Sequence, residues 1–361
     1  MNERNPPPGE EPLDADRVFA ASGCAYAAQR TLERDLHLAG FAHSRVAGQR
    51  KRIATDGNPR LGLWWRSLRG RTDWGGHAGA RAVMAARYLA RAACMPVRHQ
   101  RFLAFLDAHA LMRACVQRDP RLRERHLHPF LHRHWRPAAR LRAVQAHYRL
   151  LLRRWPEALF EGVYAHGGAV LGELAMDDGC LLRLALRPCA GREGELAIEL
   201  GEVQGEPHRL VLTVIDEQTL AIGALHGPME DGLARRLHGL PSRELLLALA
   251  YVLAGQCGLT RLLAVGDAAR PPGATVNLDA FWRGQDGVGE EGVGWFHLPA
   301  VPRACMEAEV GDGRHALLHR RAEWRWQAVQ LLNQALRPVP WWRDTLATDE
   351  AIESPPLPEA E

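Results

Sequence analysis

Lysine is nearly absent from this sequence: Lys51 is the only one, so the 46 basic residues are otherwise arginine. Also missing is any uninterrupted apolar run near the roughly 18 residues of a spanning helix. The opening MNERNPPPGEEPLDADRVF has no basic-then-apolar export pattern, so cytoplasmic residence is the expectation. The seven cysteines (Cys24, Cys94, Cys115, Cys180, Cys189, Cys257, Cys305) never form a C-x-x-C pair, and their odd number and wide spread fit reduced thiols. A disulfide framework and a zinc knuckle are excluded on that pattern. What is present is 361 residues, 47% hydrophobic and 24% charged, enough for a sizeable core and for two structural units.

The net charge of +4 conceals a division. Residues 1–155 hold 29 of the 46 basic and 12 of the 42 acidic residues, a balance of +17; the remainder, with 17 basic and 30 acidic, carries −13. GC-rich coding accounts for arginine over lysine in an Ala-, Arg-, Gly- and Leu-rich chain, but not for the segregation. The asymmetry points to an anionic partner for the first half or to docking of one half on the other.

Residues 1–16 and 337–361 read as tails, 17–156 as a basic α-helical region and 157–336 as an α+β domain. In the first half, helices are expected over Arg81–Met95 and along Phe102, Phe105, Leu106, His109, Met112 and Val116. Another starts at Pro137 with Leu141, Val144, Tyr148, Leu151 and Trp155 on one face. After Pro156 the pattern becomes four meandering strands (Leu181–Leu186, Glu195–Leu200, Leu210–Ile215, Leu220–Leu225). A buried helix Glu244–Cys257, a strand Arg261–Val265, a short helix near Ala280–Trp282, a strand Gly294–Leu298 and a helix Arg314–Leu336 follow. The fold class is α+β, an arginine-rich helical region followed by a mixed, mainly antiparallel sheet with flanking helices.

From about His126 to Asn333 the chain resembles the VirK/YbjX family of Gram-negative bacteria. The resemblance is carried by HPFL (128–131), AHYRLL (146–151), AIGALHGP (221–228), LALAYVLAGQCGLTRLLAVG (247–266), DAFWRG (279–284), GWFHLP (294–299) and RRAEWRWQAVQLL (320–332). One departure is ARPPGATVN (269–277), which stands where the family has a polar, basic insert. The resemblance implies an envelope-maintenance or virulence role, including antimicrobial-peptide resistance and surface-protein localisation. The order of elements in the second half also looks like a GNAT-type N-acyltransferase core, a fold-level analogy.

On that analogy, transfer of an acyl group from acyl-CoA would place the pyrophosphate near the buried helix's N-terminus, at Arg236, Gly239, Leu240 and Ser242. His226 and Asp267, at the ends of successive strands, are the candidate acid–base residues, and Gly223, Gly227, Asn277 and Asp279 the candidate substrate contacts. His126, His128, His132 and His134 lack a carboxylate or cysteine at ligand spacing, so no metal is expected, and attraction of anions at mildly acidic pH is the preferred use. Phe281, Trp282, Trp295, Phe296, Trp324 and Trp326 are expected in the core. Trp64, Trp65, Trp155, Trp341 and Trp342, close to arginines, suit packing between the units or contact with a membrane interface. No nucleic-acid motif is present, so no specific nucleic acid is expected. The competing class is a noncatalytic module that engages an anionic membrane surface or an envelope protein through the basic half.

Overall fold

A computed structural model describes residues 59–337 except 190, 229–231, 272–276, 291 and 303–314. Both tails and the helical patterning between residues 17 and 58 lie outside the described residues, as do Trp341 and Trp342. The helical half comprises α1 (Pro59–Leu68), α2 (Ala78–Ala93), α3 (Pro96–Ala108), α4 (Ala110–Arg118), a 3-10 segment (Pro120–Leu127), α5 (Pro137–Arg154) and α6 (Glu157–Tyr164). An amphipathic helix running from Phe102 through Val116 is corrected to two, because His109 is extended (φ −106°, ψ 132°). The break re-aims the second piece so that Leu111, Met112, Cys115 and Val116 bury, while His109, expected on the apolar face, is exposed.

Eight strands form one sheet in the order β1-β2-β3-β4-β5-β6-β8-β7. They are β1 (Ala169–Ala175), β2 (Leu181–Pro188), β3 (Leu196–Glu202), β4 (His208–Val214), β5 (Thr219–His226), β6 (Arg261–Val265), β7 (Val288–Gly289) and β8 (Trp295–His297). All neighbours are antiparallel except β5 and β6, which run parallel from Thr219↔Arg261 to Ile222↔Ala264. The alternation of leucines explains the layering: Leu182, Leu184 and Leu186 on β2, Leu196, Ile198 and Leu200 on β3, and Leu210 and Leu212 on β4 belong to the main core. The intervening residues of the opposite face are small or charged, with Ala197, Val211 and Ala224 in a separate cluster beside Cys189.

Between β5 and β6 the chain forms α7 (Gly232–Arg236) and α8 (Ser242–Cys257). Pro241 opens α8 and Gly258, left-handed at φ 71°, closes it, an end that favours glycine. Helices α9 (Asp279–Gly284) and α10 (His315–Leu336) complete the described chain. One apolar cluster runs from Phe102 of α3 to Leu336 of α10, so the basic helices and the sheet share a core. Trp282, Trp295, Phe296 and Trp324 are buried as expected, but Trp326 is 51% exposed. Of the tryptophans expected either to pack between the units or to meet a membrane interface, Trp155 is buried against the Tyr164 ring, whereas Trp65 is 60% exposed under the Arg69 guanidinium. None of the described helices is long and apolar enough to cross a membrane.

The charge division is only slightly internal. Among the described residues, two ion pairs join the halves: Arg125–Glu195, buried, and Arg153–Glu217, exposed. Among the described residues of the acidic half, carboxylates and arginines pair with one another, with Glu199 between Arg187 and Arg209, and Arg236 between Asp178 and Glu202. By contrast Arg81, Arg87, Arg98, Arg101, Arg142 and Arg149 are exposed with no carboxylate partner among the described residues.

Candidate functional site

Open sheets concentrate ligand chemistry at the carboxyl ends of parallel strands, and here that edge is where β5 and β6 finish. β6 stops at Val265 while β5 continues to His226. Gly223 is the extra residue of a bulge between β4 and β5, and it needs to be glycine: a Cβ there would lie 1.7 Å from the Glu193 carbonyl oxygen. The β2–β3 loop therefore lies directly on β5.

That loop sets up the site. His226 Nε2 stands 2.5 Å from Glu193 Oε2, leaving Nδ1 as the ring's other nitrogen on a half-exposed side chain. Behind Glu193 is buried Arg270, 3.9 Å from its second oxygen and 3.2 Å from Asp267 Oδ1. Asp267 in turn accepts the backbone N–H groups of Leu278 and Asp279 at the start of α9, and its own N–H donates to Asp279 Oδ1 at 2.7 Å. The two sequence candidates His226 and Asp267 are thus joined through two residues the sequence did not single out. Asp267 is a clamp on α9 and a support for Arg270; His226 is the group presented to solvent. Asn277 accepts the Ala280 N–H, a local turn contact. Gly227, at φ 154°, lies so close to His208 that a Cβ would meet its Nδ1 at 2.4 Å.

The expected pyrophosphate cradle is not formed. The Gly239 N–H donates to the Ala234 carbonyl at 2.7 Å and the Leu240 N–H to the Leu237 carbonyl at 3.0 Å, so both amides are spent within the turn. Arg236 is held by Asp178 and Glu202, and the Ser242 hydroxyl is buried against His208 Nδ1 at 3.0 Å. Next to the last β5–β6 rung, where a pantetheine arm would enter, Leu131 and the Glu193 main chain press on Gly223. With their polar groups engaged inside the protein, these residues do not fit coenzyme A.

The family-like motifs HPFL and AHYRLL build the floor beneath this edge. Leu131 is fully buried with φ 57°, a left-handed conformation costing a non-glycine residue about 1–2 kcal/mol. Its N–H donates to the Arg192 carbonyl at 2.6 Å, and the Arg133 N–H to that of Ala269 at 2.8 Å, so this segment ties both site loops together. His147 and Tyr148 of α5 are buried: the Tyr148 hydroxyl donates to Glu195 at 2.8 Å, and His147 Nδ1 accepts the Val214 N–H at 3.1 Å. Arg125 completes this cluster, donating to the Cys189 and Gly191 carbonyls and to Asp119. Burial pushes the Glu195 carboxyl up, with Arg125 and Tyr148 opposing it. For Arg125 burial works against the charge, but Glu195 and Asp119 outweigh it and its pKa is raised.

The histidine cluster does not act together. His126 is buried against His99 (3.1 Å), which bonds Tyr88 (2.7 Å), and burial pushes His126 down to about 3 and His99 to about 4. His132 is also lowered by burial and bonds the Val293 carbonyl. The expected gain of positive charge at mildly acidic pH is therefore corrected for His126, which desolvation keeps neutral, and burial works against it at His132.

The residues and motifs now placed in space fall within one sequence family: residues 79–333 match the model described as a protein of unknown function, DUF535. The chain belongs to the DUF535 family. This is the VirK/YbjX family, and the match takes in both the basic helices from α2 onward and the sheet. No curated protein matches the chain.

Proposed function

We propose that this DUF535 protein serves envelope maintenance or virulence by acid–base group transfer, with acyl transfer to an amine as the reaction. The observation that carries the reading is the 2.5 Å His226–Glu193 pair at the β5 end. A carboxylate at Nε2 selects the tautomer with a proton there, which leaves the Nδ1 lone pair outward as a base. In the step, the acceptor nitrogen attacks the acyl carbonyl and its proton passes to Nδ1. The bond to the leaving group breaks, and His226 returns that proton to it. Glu193 acts through His226 and is a positioning residue, itself steadied by Arg270.

A panel of activated acyl esters and thioesters, assayed with and without amine acceptors, tests this. Acceptor-dependent turnover should fall by about 10²–10⁴-fold in His226→Gln. Turnover unchanged in that variant, or none with any donor, overturns the reading. A second reading rests on the exposed arginines of the helical half: attachment to an anionic membrane surface, peripheral to the inner membrane. Vesicles with anionic lipid should then float the protein, neutral vesicles should not, and added salt should release it.

A further inference from the structure

Lined by Gly266 and Ala268, the neighbours of Asp267, and by its partner Asp279 lies a cleft of about 400 Å3 that does not include His226, within the range of small-molecule sites. Two motifs meet there. DAFWRG contributes Asp279 and Arg283, and GWFHLP contributes Trp295 and Phe296; the hairpin residue Glu290 and His134 stand on the rim. Glycines make the space: a Cβ on Gly266 would reach 2.9 Å from the Phe296 ring and 3.0 Å from Asp279 Oδ1, and one on Gly289 would reach 3.2 Å from the same ring. The aromatic wall is thus packed between two bare backbone positions.

The charged groups are poised rather than committed. Asp279 Oδ1 accepts the Asp267 N–H, but its Oδ2 is 3.7 Å from Arg283, longer than a hydrogen bond. Arg283 is two-thirds exposed, with its guanidinium 5.5 Å over the Phe296 ring. Glu290 stands 3.6 Å from His297, again without a hydrogen bond, and is half exposed. Two carboxylates and one guanidinium around a small cavity match a ligand carrying both signs of charge. An ammonium would meet Glu290 and the Asp279 oxygen that now faces Arg283 at long range, and an anion would meet the Arg283 fork.

We infer that this cleft binds a small zwitterion, an ammonium and a phosphate or carboxylate a few bonds apart. The site is independent of the reaction assigned to His226. Calorimetry on the full chain with O-phosphoethanolamine and with β-alanine distinguishes the phosphate from the carboxylate source. Ethanolamine and inorganic phosphate serve as half-ligands. At least one zwitterion should bind at least tenfold more tightly than either half-ligand, and Glu290→Gln and Arg283→Gln should each weaken it about tenfold. His226→Gln should bind as the parent does, which separates failure here from failure of the catalytic reading. Both substituted side chains are exposed, so unchanged melting temperatures are expected and show that the fold is kept. Absence of zwitterion binding, half-ligands binding as tightly, or affinity indifferent to both substitutions overturns the proposal.

Discussion

Glu193 and Glu195 sit two residues apart on one loop and live in different solvents. Glu195 is buried among Arg125, Tyr148 and the Thr213 region, with its own N–H bonded to the Leu212 carbonyl and the Thr213 hydroxyl. Glu193 is partly exposed and faces His226. Both are carboxylates paired with a base, yet only one can meet a substrate. A buried pair fixes the position of the chain, whereas a pair at the water's edge is free to exchange protons with something that arrives.

The sharpest way to test that contrast is to break the dry pair. Arg125→Met leaves Glu195 buried without its guanidinium and should cost about 3–5 kcal/mol in urea denaturation, whereas Arg125→Met with Glu195→Leu should recover a substantial part. Acid comes next. His99, His126 and His147 are held near 4, 3 and 3 by burial, against 6.5 when unfolded. A depressed histidine stabilises fully above the unfolded value and loses that contribution as pH falls from 6.5 toward 4. Each should cost about 1.4 kcal/mol per pH unit in that window. Glu195, raised, works the other way, but is one group against three. Stability should therefore drop steeply between pH 6.5 and 5 in denaturation series. Tyr148→Phe, which strips the hydroxyl donor from Glu195, should cost about 1–3 kcal/mol by the same measurement. The smallest effect belongs to the wet pair: Glu193→Gln should change stability by no more than about 1 kcal/mol. It should nevertheless shift the His226 tautomer balance seen by nitrogen NMR.

Much of the sheet was legible because a half-buried strand announces itself by alternation. β2 through β5 and β6 fall on the apolar runs read from residues 181–225 and 261–265. β1 was missed because Gly172 and Glu173 interrupt its pattern, and the two-residue β7 has no pattern to read. Of the site, His226 and Asp267 were visible as titratable residues at strand ends. Glu193 was not, because a turn between strands gives no sign that it will fold back onto a strand 33 residues later. Arg270 was hidden for another reason: in an arginine-rich chain, nothing local marks the one that becomes buried. AHYRLL was recognisable by resemblance, but only burial reveals that His147 and Tyr148 hold the core together.

The loop from Cys189 to Glu195 has one more property. Arg125 grips its carbonyls at Cys189 and Gly191, and Leu131 holds Arg192, so it is tethered at three points to the helical half. Glu193 lies between those tethers and His226. The helical half thus fixes the chain on either side of the carboxylate that faces His226.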